Sequence, residues 1–154
     1  MTKNSIIVKL LIGNNNKLLS ICIFLLRCTV GVILFVIGAG KVMGWFGGQG
    51  IEVTIQNFVT KAGIAAPLAY LSCYTEFIGG FLLILGLFTR PTAFAIMINM
   101  LVATIEMLPT GFFTGGAAYP FSLMISAIII LLAGPMTYSV DYLLLKKGEV
   151  INEV

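Results

Sequence analysis

"CYTEFIGGFLLILGLFTRP", residues 73–91, decides how this chain must be read. One carboxylate, Glu76, is followed by Phe77, Ile78, two glycines and a run of Phe, Leu and Ile that ends only at Thr89 and Arg90. A helix of that length and apolarity can cross a hydrocarbon core, and an ionised carboxylate inside it is costly unless it is paired or takes up a proton. The composition around it agrees. The 154 residues are 59% hydrophobic and 10% charged, with a mean hydropathy of +1.08. A soluble domain carries roughly 25% charged residues, so this chain lacks the polar side chains to cover itself in water. Its solvent is the bilayer.

Four segments have the length and apolarity of a span: about Leu18 to Gly40, Pro67 to Phe88, Pro91 to Leu108 and Tyr119 to Tyr138. Pro67, Pro91 and Pro120 fall in first turns, where a missing N–H is harmless. Gly134-Pro135 is expected to kink or end the fourth span. The first span is too long for the apolar part of a signal peptide and reads as a retained anchor. With the N-terminus inside, Lys3, Lys9, Lys17, Arg90, Lys146 and Lys147 are cytoplasmic, and only Lys41 and Lys61 lie outside. That bias predicts cytoplasmic termini. The expected fold is an all-α four-transmembrane-helix bundle. A cytoplasmic segment over 1–17 precedes the transmembrane domain, 18–144, and a cytoplasmic tail, 145–154, follows it. Within the first external loop, Ile51, Ile55, Phe58, Val59 and Ala62 share a helical face, with Glu52, Gln56, Thr60 and Lys61 away from it. A short amphipathic helix on the membrane surface or capping the bundle is predicted there.

Several classes of function are excluded. There is no histidine, so histidine-held metals and Ser-His or Cys-His catalysis have no residues to use. Cys22, Cys28 and Cys73 form no C-x-x-C and read as buried apolar residues. The net charge of +3 is too small for a nucleic-acid surface. Gly48-Gln49-Gly50 follows no strand and completes no nucleotide-binding motif.

At about 100° per residue, each span has one small or polar face. Arg27, Gly31, Gly38 and Lys41 share one on the first helix, and Glu76, Gly80, Leu83 and Arg90 share one on the second, with Gly79 beside them. Thr92, Ala95, Asn99, Ala103 and Glu106 form a stripe on the third, and Ser122, Ser126, Ile129 and Ala133 one on the fourth. Small and polar residues mark helix contacts in lipid, so these faces are expected to point inward. Counted from the expected helix ends, Arg27 and Glu76 both sit about nine residues deep, or about 13 Å. Arg27 is therefore the expected partner of Glu76, and Lys41 that of Glu106. The candidate polar or ligand site is Arg27, Lys41, Glu76, Asn99 and Glu106. No residue is assigned as catalytic, and no metal or covalent cofactor is expected.

The segments "RCTVGVILFVIGAGKVMG" (27–44), "YTEFIGGFLLILGLFTRPTAFAIMINMLVATI" (74–105), "TGFFTGG" (110–116) and "LAGPMTYSVDYLL" (132–144) resemble the DoxX family of small bacterial membrane proteins. The resemblance spans all four helices in order. Arg27, Lys41, Glu76, Arg90 and Asp141 stand where that family carries recurrent polar residues. Two departures stand out: no histidine follows the third helix, and Ala118 stands about where a glutamate would follow the last external Gly-Gly. The resemblance implies a place in the bacterial cytoplasmic membrane, lipid contact, and partners among other membrane subunits or copies of itself. It further implies a structural or accessory role in a larger complex, with a quinone-interacting subunit of an oxidoreductase of the thiosulfate:quinone type as the alternative. Quinone is then the expected ligand.

Overall fold

The structure, a computed structural model, describes residues 16–152, and their side chains as far as Lys146. The expectations for Lys3, Lys9 and the Lys147 side chain lie outside the described residues. Within them every regular element is helical: α1 (Asn16–Met43), α2 (Gly50–Lys61), α3 (Ala66–Leu85), α4 (Thr89–Met107), α5 (Ala118–Ala133) and α6 (Val140–Asn152), with 3-10 turns at Trp45–Gly47 and Leu108–Thr110. Helices α1 and α3, and α4 with the turn that follows it, are long and apolar enough to cross a membrane. At 16 residues α5 is shorter, about 24 Å at 1.5 Å per residue. It stops at Gly134, which takes a positive φ of 72° immediately before Pro135. A left-handed glycine followed by proline cannot continue the helix, and this ends the segment before the expected Tyr138.

The tightest packing joins α1 to α3, which run antiparallel with backbone on backbone. A Cβ on Gly38 would lie 2.4 Å from the Phe77 nitrogen, and one on Gly80 would lie 2.4 Å from the Phe35 nitrogen. Gly31 faces Gly80 and Ile84 in the same way. In lipid, where apolar bulk gives no preference for a neighbouring helix, such close approach is what holds two helices together. The second pair is α4 with α5, and the two pairs meet around Val30, Leu34, Leu83, Ala93, Ile96, Met100, Leu123, Ala127 and Ile130.

The inward faces of α1 and α3 match expectation over Arg27, Gly31, Gly38, Glu76, Gly79, Gly80 and Leu83, all buried. Lys41 is half-buried, whereas Arg90, beyond the end of α3 at Leu85, falls in the first turn of the next helix and is exposed. Those of α4 and α5 do not. On α4 the buried stripe is Thr89, Thr92, Ala93, Ile96, Met100 and Thr104; Ala95 and Glu106 are exposed, and Asn99 sits at the edge. On α5, Pro120, Leu123, Ala127 and Ile130 face inward, while Ser122 is exposed. The serine hydroxyls satisfy themselves within their own helix: Ser122 Oγ donates to the Tyr119 carbonyl at 2.7 Å, and Ser126 Oγ to that of Ser122 at 2.8 Å. A hydroxyl that back-bonds in this way needs no partner helix, so shape rather than polarity selected the packed face.

Helix α2 folds down against the ends of α1 and α3. Ile55 is buried with Ala69 and Cys73, and Ile51 and Phe58 pack beside them. Thr54 is also buried, whereas Val59 is exposed, so the inward face is rotated slightly from the one expected.

Candidate functional site: the Lys41–Glu76 pair and its cleft

The glycine contacts fix which residues of α1 and α3 are level. Gly38 lies against Phe77, so one turn further along α1 the Lys41 side chain reaches Glu76. Lys41 Nζ donates to Glu76 Oε1 at 2.8 Å, and Nζ is 2.6 Å from Oε2. Oε2 lies off the angle of a directed hydrogen bond and is held by charge alone. Asn99 Nδ2 on α4 adds a longer contact to Oε1 at 3.4 Å. The Glu76 side chain is 5% exposed and that of Lys41 26%. The carboxylate is therefore inside the bundle, and the ammonium stands between it and the surface.

Three of the five candidate residues thus come together. Arg27 does not pair with Glu76, and Lys41 does not pair with Glu106, which is exposed. Arg27 is buried at the other end of α3. Its guanidinium donates to the Tyr138 carbonyl and lies over the Phe24 ring at 5.7 Å, while Nε has no partner. Gly86, at φ 68°, makes room for it: a Cβ there would be 2.6 Å from Arg27 Cζ. The same corner holds Asp141, whose two carboxylate oxygens accept the Phe88 and Thr89 N–H groups at 2.8 Å each. Phe88 adopts a left-handed φ of 49° to make the α3–α4 turn, a conformation that costs a residue with a Cβ about 1–2 kcal/mol. Burial pushes the Asp141 carboxyl up, but the Thr89 and Phe88 N–H groups and the Arg27 charge outweigh it and hold the group below its ordinary value.

Beside Lys41 a cleft of about 440 Å³ opens between the end of α1, the Trp45–Gly47 turn and α2. Trp45, Phe46 and Phe58 give it aromatic walls, and Gln49, Thr54 and Asn57 supply polar groups. Lys41 Nζ sits 5.5 Å from the centre of the Phe58 ring. A Cβ on Gly48 would meet the Gly40 backbone at 2.2 Å, so the turn can close over α1 only with glycine there. Of the residues that line this cleft, only Lys41 belongs to the candidate set expected from the sequence. Trp45 reads as a membrane-interface aromatic, and Gln49 and Asn57 are ordinary surface amides until α2 folds back and their side chains meet at 3.1 Å.

The family model for DoxX matches residues 22–109, a stretch that runs from Cys22 within α1 to just past the end of α4 and holds every residue of the Lys41–Glu76–Asn99 cluster. The chain belongs to the DoxX family. It is also similar to a Bacillus subtilis (strain 168) protein described as "Putative oxidoreductase CatD", with 32% identity over 126 residues, covering 82% of this chain and 89% of that one. No solved structure gives a significant match. In this DoxX chain five polar residues, Arg27, Lys41, Glu76, Arg90 and Asp141, divide by place. Lys41 and Glu76 meet at the cleft; Arg27 and Asp141 lie, without pairing, at the opposite end of the bundle, where Arg90 packs on Gly134.

Proposed function

We propose that this DoxX protein is an accessory subunit of a membrane oxidoreductase complex, and that it contributes a cleft for a quinone ring at Lys41. The observation that carries the reading is the partly exposed Lys41 ammonium on the wall of an aromatic-sided cleft, backed by a buried carboxylate. The residues fit such a ligand. A quinone is a flat ring with opposed carbonyl oxygens, which two-electron reduction converts to hydroxyls. Phe58 and Trp45 offer ring faces, Lys41 a charged donor for one carbonyl, and Asn57 or Gln49 an amide donor for the other. Glu76 behind Lys41 is placed to accept or return a proton without opening the bundle. The relative described as an oxidoreductase supports the redox setting. A structural role alone is the second reading, favoured by the Lys41–Glu76 ion pair joining α1 to α3.

In the proposed arrangement α1, α3, α4 and α5 span the bacterial cytoplasmic membrane with both termini inside, as the Lys/Arg bias indicates. The cleft then opens at the outer face. The chain's one tryptophan lines it, which gives a direct test. Titrating the purified protein with a short-chain quinone should quench Trp45 fluorescence saturably, and Lys41→Met should weaken the titration about tenfold, as loss of one charged hydrogen bond implies. Linear, unsaturable quenching would remove the cleft from the proposal. Saturable quenching unchanged in Lys41→Met would remove Lys41.

A further inference from the structure

A second cleft, of about 390 Å³, lies at the end of the bundle away from Lys41, between the start of α4 and α6. Its walls are Phe88, Pro91, Pro135, Leu144 and Leu145, with Arg90 and Asp141 as its charged groups. The carboxylate is already occupied, since both Asp141 oxygens accept backbone N–H groups of the α3–α4 turn. Arg90 is exposed, and the only ion pair among the described residues is Lys41–Glu76. The guanidinium is nevertheless placed: it lies across Gly134, where a Cβ would approach Nε to 2.9 Å. Gly134 thus leaves a seat for the arginine at the rim.

Around that rim Phe88, Tyr142, Leu143, Leu144 and Leu145 are all exposed, and Lys146 follows directly. An exposed aromatic and leucine surface next to cations, at the end of membrane-crossing helices, matches the headgroup boundary of a bilayer. We infer that this cleft seats an anionic phospholipid, its phosphate on Arg90 and an acyl chain along Leu144, Leu145 and Phe88. Guanidinium matches phosphate oxygens in a two-pronged geometry. The apolar wall gives a free phosphate ion nothing further to bind, and a zwitterionic headgroup would bring its own cation towards Arg90 and Lys146.

The inference stands apart from the quinone cleft and is tested without quinone. The full chain in neutral detergent is mixed with phosphatidylglycerol, phosphatidylcholine or inorganic phosphate. Lipid retention is read by native mass spectrometry and stabilisation by thermal unfolding. Phosphatidylglycerol alone should be retained and raise the unfolding temperature. Arg90→Gln should weaken that retention about tenfold, the worth of one charged contact, whereas Lys61→Gln at the other end should leave it intact. Equal retention of both lipids, stabilisation by phosphate alone, or full retention in Arg90→Gln would each overturn the assignment. If Arg90→Gln fails to fold, a Leu144→Gln/Leu145→Gln variant takes its place; selective retention equal to wild type would then overturn it.

Discussion

Replacing Lys41 by Met while leaving Glu76 in place would strand a carboxylate that is 5% exposed between α1, α3 and α4. Removing one member of a buried ion pair costs about 3–5 kcal/mol, because the other charge remains without compensation. Lys41 is itself about a quarter exposed, so water screens part of the effect and the lower end, about 3 kcal/mol, is the expected loss. Glu76→Gln alone leaves an ammonium that can reach the cleft and should cost less, about 1–2 kcal/mol. The double variant removes both charges and should lie within about 2 kcal/mol of wild type, since apolar replacements of a buried pair are often close to neutral. The cycle therefore predicts a coupling of at least about 2 kcal/mol, or some 30-fold or more in the folding equilibrium. Polar contacts between membrane helices average about 0.6 kcal/mol in such cycles, so the two cases are separable. The assay is equilibrium unfolding of the four proteins in mixed micelles, titrated with a denaturing detergent. A coupling of 0.6 kcal/mol or less, or a Lys41→Met protein as stable as wild type, would show that the pair is solvated and does not join the helices.

Gly38→Ala would push a methyl group into the Phe77 backbone at 2.4 Å; a loss of about 1–3 kcal/mol is expected by the same unfolding assay, with weaker quinone quenching because Lys41 is one turn away. Gly79→Ala meets only the Ile96 and Thr92 side chains at 3.3–3.5 Å and should fall within about 1 kcal/mol of wild type. The Asp141 carboxyl is held below its ordinary value in the folded protein. Its stabilising effect is therefore fully present above the unfolded value, about 3.9, and is lost as pH falls through the folded one. Asp141→Asn should flatten the acid limb of a stability-against-pH curve in that range; an unchanged limb would show that other groups set it.

Much of the fold was legible because membrane helices declare themselves by length and hydropathy. The faces of α1 and α3 were legible because glycine has a single reason to line up on a lipid-embedded helix. The pairing of charges was not. Counting depth from expected helix ends assumes that all spans begin and end at common planes, and α1 does not. Its first turns overhang α3 and pack on the segment after α5, where Ser20 meets Thr137 at 3.4 Å and the Phe24 ring meets that of Tyr138. The overhang moves the position level with Glu76 from Arg27 to about Ala39, some 18 Å along the helix, and this changes every charge partner. On α5 the serines misled because a hydroxyl can bond its own helix. The cleft itself was not legible, since it forms only where the Trp45–Gly47 turn and α2 fold back on the end of α1, and that fold-back depends on glycine conformations that leave no periodic trace.

The clip that Asp141 places on the turn between α3 and α4 joins groups 52 and 53 positions apart in the chain. A protein made from its N-terminus outward has Phe88 in the bilayer well before residue 141 leaves the ribosome. During synthesis, then, the sharpest bend of the hairpin exists without its fastener. Helix α6, which carries Asp141, is the piece that fastens it.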